Sequence, residues 1–298
     1  MENTLINEVK STIAFLKAKY DYPQSFCVAM ETTLNTIDDA EIRAIKDFYV
    51  SPEKLDYDGL TAHLKAISGK HSIHERTVYL FALVVMTPLL LENYKTAGVP
   101  DGVAFDTIAD FKYKYLESMR TEKIDGIRPW SWYESFFRLK LFKLRRLQFQ
   151  ITAFKGEDVT VGGRTIKTGD KVLAIHIPQS GQPLFPSYCE ESIRQAKEFF
   201  KDEFNSDKIP FTCWSWLLNP KNAEIIPENK NILRFASRFL VVQSGEYEDF
   251  NELSPWIFSK TKIDDLNDIP ENTSLQTAIK QHLKRGGKLG WGYGVFVK

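Results

Sequence analysis

Up to residue 142 the apolar positions recur at helical spacing. Leu5, Val9, Thr12, Ile13 and Leu16 share one face of a first helix. Ser51 and Pro52 read as an N-cap followed by proline at the first helical position, and Leu55, Leu60, Leu64 and Ile67 continue that helix. Residues 79–91 (YLFALVVMTPLLL) are apolar on every side, which predicts a buried core helix that bends or breaks around Pro88, since proline donates no backbone hydrogen bond. The run is too short for the ~20 apolar residues of a bilayer span. GVPDG, residues 98–102, is a turn, and Phe105, Ile108, Phe111, Tyr115 and Met119 mark the next helix. No strand-like alternation occurs in this half. Residues 130–142 are expected as a last helix that bridges the two halves.

From Arg145 the period changes to two. Leu147, Phe149, Ile151 and Ala153 alternate with polar neighbours. VTVGGRTI, residues 159–166, predicts two short strands about a Gly-Gly turn, and KVLAIHIP, residues 171–178, a further strand. Together they predict a meander. A loop, QSGQPLFP, then leads to a helix with Ser187 and Glu190 in capping-box spacing. Cys189, Ile193, Ala196, Phe200 and Phe204 line one face of that helix. PFTCWSWLL, residues 210–218, is a buried strand. Residues 231–239 read as helix and residues 239–245 as strand. Thr273 and Gln276 repeat the capping-box pattern before a terminal helix, and alternation in GWGYGVFVK predicts a closing strand. The glycine-rich run at residues 286–294 lacks the strand-then-helix setting of a phosphate loop and is expected as a hairpin with close backbone approaches.

Composition narrows the function classes. Lys plus Arg number 39 and so do Asp plus Glu, giving zero formal charge. A dominant nucleic-acid or anionic-membrane partner selects for a basic excess and is not expected. Cys27, Cys189 and Cys213 are odd in number and far apart, so neither a disulfide framework nor a zinc site is indicated, and a cytoplasmic, reducing setting is expected. The N-terminus mixes charge with apolar residues at helical spacing, unlike a signal peptide. HSIHE, residues 71–75, is not an H-E-x-x-H motif, and no metal is expected.

The second half carries wording with a family resemblance. The phrases are LRRLQFQ (144–150), HIPQSGQPL (176–184), CEESIRQAKEFF (189–200), CWSWLLNP (213–220), NILRFASRF (231–239) and LQTAIKQHLKRGG (275–287). They resemble bacterial acyltransferase proteins in which a helical N-acyltransferase N-terminal domain precedes a GNAT-like C-terminal domain. The resemblance implies an α+β chain. Residues 1–142 would form an all-helical N-terminal domain, and residues 143–298 a mixed α/β domain with a splayed central sheet. It implies an N-acyltransferase that moves an acyl group, expected to be acetyl, from acyl-CoA to an amine acceptor. Acyl-CoA would be a cosubstrate, with no tightly bound cofactor. Fold and family do not fix a reaction, so a non-catalytic GNAT-like protein that binds a small molecule or partner is the alternative. Two features depart from the usual pattern. The loop after the first central strand has a single glycine, Gly181, in place of Q/R-x-x-G-x-G/A. No tyrosine lies between Asn219 and Arg238, where Phe235 occupies the expected neighbourhood.

Within this frame the candidate residues follow. His176 ends a strand on the same face as Val172 and Ala174, where ligands of open α/β sheets gather, and a free pKa near 6.5 suits proton transfer. The alternative is a histidine whose ring hydrogen-bonds within the loop. Cys213 and Ser215 share a strand face with Phe211, and either flank a thioester or fill core space. Backbone at Ala174, Ile175 and Ile177 is the candidate contact for the pantetheine arm. Ser180, Gly181 and Gln182, with Ser187 and Tyr188 at the helix start, are candidates for the pyrophosphate, against a self-capped helix that binds nothing.

Overall fold

The computed structural model describes residues 4–227 and 230–298, and its residues cluster into two compact units, Met1–Phe142 and Lys143–Lys298. The first unit is helical: α1 (Thr4–Tyr20), α2 (Gln24–Thr36), α3 (Asp39–Asp47), α4 (Tyr57–His71), α5 (Glu75–Thr96), α6 (Asp101–Ile108), α7 (Asp110–Glu122) and α8 (Glu134–Phe137). Helix α5 is its centre, with α1, α2, α3, α4 and α6 against it. Val78 to Thr87 are buried without interruption, at ~1.5–3 kcal/mol for each fully buried large apolar side chain. Helix α5 has the length and composition to cross a membrane, but 67% of its apolar window is buried inside the protein, as in a core helix.

Three expectations for this unit are corrected. The break offered for Pro88 does not occur, and helix α5 runs through it. Packing on several sides holds the weakened turn, and the Thr87 hydroxyl donates to the Leu83 carbonyl at 2.6 Å beside it. The Ser51-Pro52 signal starts only a 3-10 turn, Pro52–Lys54; α4 begins later, capped by Asp56, whose carboxylate accepts from Gly59 N at 2.9 Å. Residues 130–142 are not one helix. A 3-10 turn, Trp130–Tyr133, leads into α8, and the chain reverses at Leu139, whose φ is 50°. Trp130 is locked in the core between Tyr57 and Tyr79, with ring centroids 5.2 and 4.8 Å away.

The second unit is built on β1 (Leu141–Leu144), β2 (Leu147–Ala153), β3 (Val159–Val161), β4 (Arg164–Ile166), β5 (Lys171–His176), α9 (Pro186–Phe199), α10 (Lys201–Phe204), β6 (Pro210–Ser215), α11 (Asn222–Ile225), α12 (Asn231–Ala236), β7 (Leu240–Glu246), α13 (Ser254–Ile257), α14 (Ser274–Lys284) and β8 (Gly290–Val297). Among the described residues the main sheet has the order β1-β2-β5-β6-β8-β7. Strands β5 and β6 are parallel, joined through the crossover helix α9; β2–β5, β6–β8 and β7–β8 are antiparallel. The expected meander is corrected. Strands β3 and β4 form a separate two-stranded sheet, and β2 pairs directly with β5.

The closing segment is one strand, not a hairpin, although its close backbone approaches are present. A Cβ on Gly292 would lie 2.3 Å from the Leu218 carbonyl oxygen, which only glycine avoids. Strand β6 likewise ends at Ser215, and residues 216–218 turn into a 3-10 segment.

Candidate active site

The parallel pair at the centre of the sheet is short. Strands β5 and β6 share the rungs Leu173↔Phe211 and Ala174↔Thr212 only. Beyond them each strand follows its outer neighbour. Strand β5 stays in register with β2 through Ile175 and His176, and β6 with β8 through Cys213, Trp214 and Ser215. Past these rungs no further pair joins β5 to β6 among the described residues, which leaves room for a gap between the two strand ends. Backbone polar groups seek partners, so such a gap suits a ligand with its own amides.

Side-chain parity sorts the candidates. His176 and Ala174 lie on one sheet face with Gln150 and Thr212; Ile175 lies on the other with Phe211, Cys213 and Ser215. The sheet thus separates His176 from Cys213 and Ser215. The His176 Nε2 lies 3.1 Å from the Gln150 side-chain oxygen. An amide oxygen only accepts, so Nε2 carries the ring proton in this pair. Burial lowers the His176 pKa from 6.5 to about 4, which leaves the ring neutral at pH 7. Burial pushes the Cys213 thiol up to about 12, so it stays protonated. The Ser215 hydroxyl accepts from Leu217 N at 3.2 Å and caps the turn after β6. Cys189 is buried in α9, on the face expected to pack.

The loop after β5 turns at Gly181, whose φ is 76° and whose missing Cβ would meet nothing within 4 Å. Helix α9 then starts at Pro186 with Phe185 at the N-cap position and no side-chain cap. The expected Ser187–Glu190 capping box is therefore corrected. Proline at the first position sets the helix start two residues early, and Glu190 turns instead to Arg238, at 3.1 Å, and to Lys298. Burial works against ionising Glu190, but those two cations hold its carboxyl below the usual range. Pro186 has no N–H, and the Tyr188 and Cys189 N–H groups donate to the Phe185 carbonyl at 3.0 and 3.1 Å, so the start of α9 offers mainly the positive end of its dipole beside Ser187. Ser180, Gly181 and Gln182 stand in the same loop, where Gln182 N approaches Ser180 Oγ at 3.4 Å.

Four residues that the sequence reading did not single out hold this arrangement. Arg146 is buried and donates to the carbonyls of Pro178 at 3.1 Å and Pro183 at 3.3 Å, one on each side of the glycine turn. Its backbone N donates to Ser192 Oγ at 3.0 Å, and that hydroxyl donates to the Tyr188 carbonyl at 2.9 Å. Arg238 ties the start of α9 to the end of α12 through Glu190 and the Pro186 carbonyl. Gln150 is the fourth, through His176. The Arg-Arg pair at residues 145–146 is a signal, but spacing alone does not say which arginine turns inward.

Phe235 is buried in α12. His71 pairs with Glu41 at 2.8 Å, and His74 caps α5 by accepting from Arg76 N at 3.2 Å. Among the described residues no group of His, Cys, Asp or Glu is arranged to hold a metal ion. A pocket between residues 224–227 and the Ala278–Arg285 side of α14 includes none of the gap residues.

Residues 141–296 match the family model of a GNAT-like C-terminal domain, and residues 38–139 that of an N-acyltransferase N-terminal domain. The chain belongs to this N-acyltransferase family with a GNAT-like C-terminal domain. No curated protein matches it. Among solved structures it is similar to an acyltransferase in complex with decanoyl-CoA and teicoplanin, at 20% identity over 96% of this chain and 87% of that one, with a TM-score of 0.73. It is also similar to an acyltransferase in complex with CoA and 10C-teicoplanin, at 20% identity over 95% and 87%, TM-score 0.73. A mutant acyltransferase in complex with octanoyl-CoA gives 20% identity over 95% and 87%, TM-score 0.71. At this identity the likeness is one of fold.

Proposed function

We propose that this chain transfers an acyl group from acyl-CoA to a primary amine at the gap between β5 and β6. The two-rung parallel pair carries the reading, because the β5–β6 ladder stops at Ala174 and Thr212 and so offers room for a ligand between the strand ends. The two amides of a pantetheine arm suit the β5 edge along Ala174, Ile175 and Ile177, where backbone groups point alternately toward β2 and toward the gap. The start of α9, with Ser180, Gly181, Gln182, Ser187 and Tyr188, suits the pyrophosphate through the helix dipole, worth ~0.3–1 kcal/mol to an anion. The thioester then reaches the mouth of the gap beside His176.

In the reaction the amine nitrogen bonds to the thioester carbon, and the oxyanion takes backbone N–H donors along the gap. The C–S bond then breaks. The proton lost from nitrogen reaches the departing thiolate directly or through the neutral His176 ring. With a pKa of about 4, His176 is a weak base, suited to the acidic ammonium of the tetrahedral intermediate rather than to a free ammonium ion. Cys213 and Ser215 face the other side of the sheet and, in this reading, line the gap without moving a proton.

The reading covers acetyl-CoA and longer acyl-CoAs alike; the similar structures hold octanoyl and decanoyl thioesters. A cytoplasmic setting supplies CoA thioesters and keeps the three free cysteines reduced. The test incubates the protein with acetyl-CoA or octanoyl-CoA and a panel of primary amines, with products read by mass spectrometry. Amide formation that depends on protein supports transfer. Saturable CoA binding with no amide from any amine supports the non-catalytic alternative instead.

A further inference from the structure

Trp214 is 66% exposed, more than any other large apolar side chain among the described residues. A single exposed apolar residue is ordinary on a protein surface. Two features set this one apart. The first is its place. Trp214 lies two residues beyond the last rung on β6, as His176 does on β5. Both strands keep regular ladders with their outer partners, Trp214↔Tyr293 and Gln148↔His176, so parity carries past the last shared rung. His176 and Trp214 therefore leave the same sheet face from opposite lips of the gap.

The second feature is a support. Trp291 meets Trp214 edge to face, with centroids 5.4 Å apart and rings at 68°. Trp291 sits over Gly245, where a Cβ would come within 2.8 Å of its ring, and it packs against the buried cluster of Phe154, Ile166, Val172, Tyr293 and Val295. A glycine beneath one indole thus lets that indole brace a second. A braced aromatic ring offers contact area at small conformational cost.

We infer that Trp214 is the platform for the acyl acceptor, and that the acceptor carries a flat ring next to its primary amine. The inference rests on reading the gap as the acyl-transfer site. The ring stacks on the indole and aims the amine nitrogen at the thioester carbon between the lips. The N–C bond forms, the C–S bond breaks, CoA leaves as its thiol, and the amine proton supplies the thiol hydrogen. An aromatic ring and the C–H face of a sugar both present this surface. A linear alkylamine has too little of it. An ammonium held over the indole would be the protonated, non-nucleophilic form, so the ring and not the charge makes the productive contact.

The experiment compares wild type, Trp214→Ala and Trp214→Phe with octanoyl-CoA and three probes: benzylamine, glucosamine and butylamine. The quantity read is kcat/KM for each ring amine divided by that for butylamine. Aromatic contacts of ~0.5–1.5 kcal/mol convert to a roughly two- to twelvefold fall in this ratio for Trp214→Ala, carried by KM, with recovery in Trp214→Phe. Benzylamine and glucosamine separate the aromatic from the sugar source. An unchanged ratio overturns the inference. If wild type turns over none of the amines, the transfer reading fails and the platform is judged by binding alone. The Trp214 indole N–H resonance, assigned by its loss in Trp214→Phe, is then followed with CoA present. A shift with a ring amine but not butylamine supports the platform, and no shift overturns it.

Discussion

Acid should weaken this fold through His176. Its folded pKa is about 4, against 6.5 for the free side chain, and the cause is burial of the ring. A histidine with a lowered folded pKa takes up its proton first in the unfolded chain, so acid favours unfolding. Its effect is absent well above pH 6.5, grows as the pH falls, and levels off below about pH 4. At ~1.4 kcal/mol per pH unit the loss is roughly 2 kcal/mol by pH 5 and about 3 kcal/mol near pH 4. The perturbation is His176→Gln, which keeps polar capacity beside Gln150 and removes the titration. Many carboxylates titrate in the same range, but they do so in both proteins and cancel in the difference. The assay is urea unfolding followed by tryptophan fluorescence between pH 7.5 and 4.5. Ring-carbon NMR runs in parallel, with the His176 signal assigned by its absence in the variant. The wild type should lose stability relative to His176→Gln by about 2 kcal/mol over this range. A constant difference between the two proteins, or a His176 midpoint near 6.5, refutes the reasoning.

Other consequences follow from neighbouring contacts. Gly292→Ala places a Cβ 2.3 Å from the Leu218 carbonyl oxygen and should cost about 1–3 kcal/mol or more; an unchanged melting temperature contradicts that packing. All three thiols are buried and Cys213 is pushed up to about 12, so Ellman's reagent at pH 8 should react slowly with the folded protein and fully in urea; a fast thiol in the folded state contradicts this. Arg146→Met removes the donors to the Pro178 and Pro183 carbonyls and should weaken CoA binding about tenfold by calorimetry, as expected for loss of charge-assisted hydrogen bonds; unchanged affinity removes Arg146 from the site's support.

Much of the fold was legible because burial writes a period into the sequence. The change from helical spacing to alternation at Leu147, Phe149 and Ile151 marks the start of β2 within two residues of Arg145. The misreadings share a physical cause, since local signals compete with tertiary contacts. Pro88 has the chemistry of a break, yet neighbours around α5 outweigh it. Ser187 and Glu190 have capping-box spacing, yet Pro186 begins the helix and Arg238 takes the glutamate. At the site, strand parity was readable in V-L-A-I-H, which places His176 with Ala174. That Cys213 and Ser215 face the opposite way depends on the β5–β6 register, which only the paired strands supply. Arg146 was invisible for a similar reason. Its partners are backbone carbonyls more than thirty residues away, and carbonyls carry no sequence signature.

The central claim is that acyl-CoA occupies the gap where β5 and β6 part. Backbone amide hydrogen exchange with and without octanoyl-CoA tests it most directly, because a pantetheine amide that bonds a strand edge slows exchange at that edge. Protection is expected at residues 175–177 and 213–215, in the loop at residues 180–182 and at the first turn of α9. Protection confined to other segments, or none at saturating octanoyl-CoA, would contradict the claim.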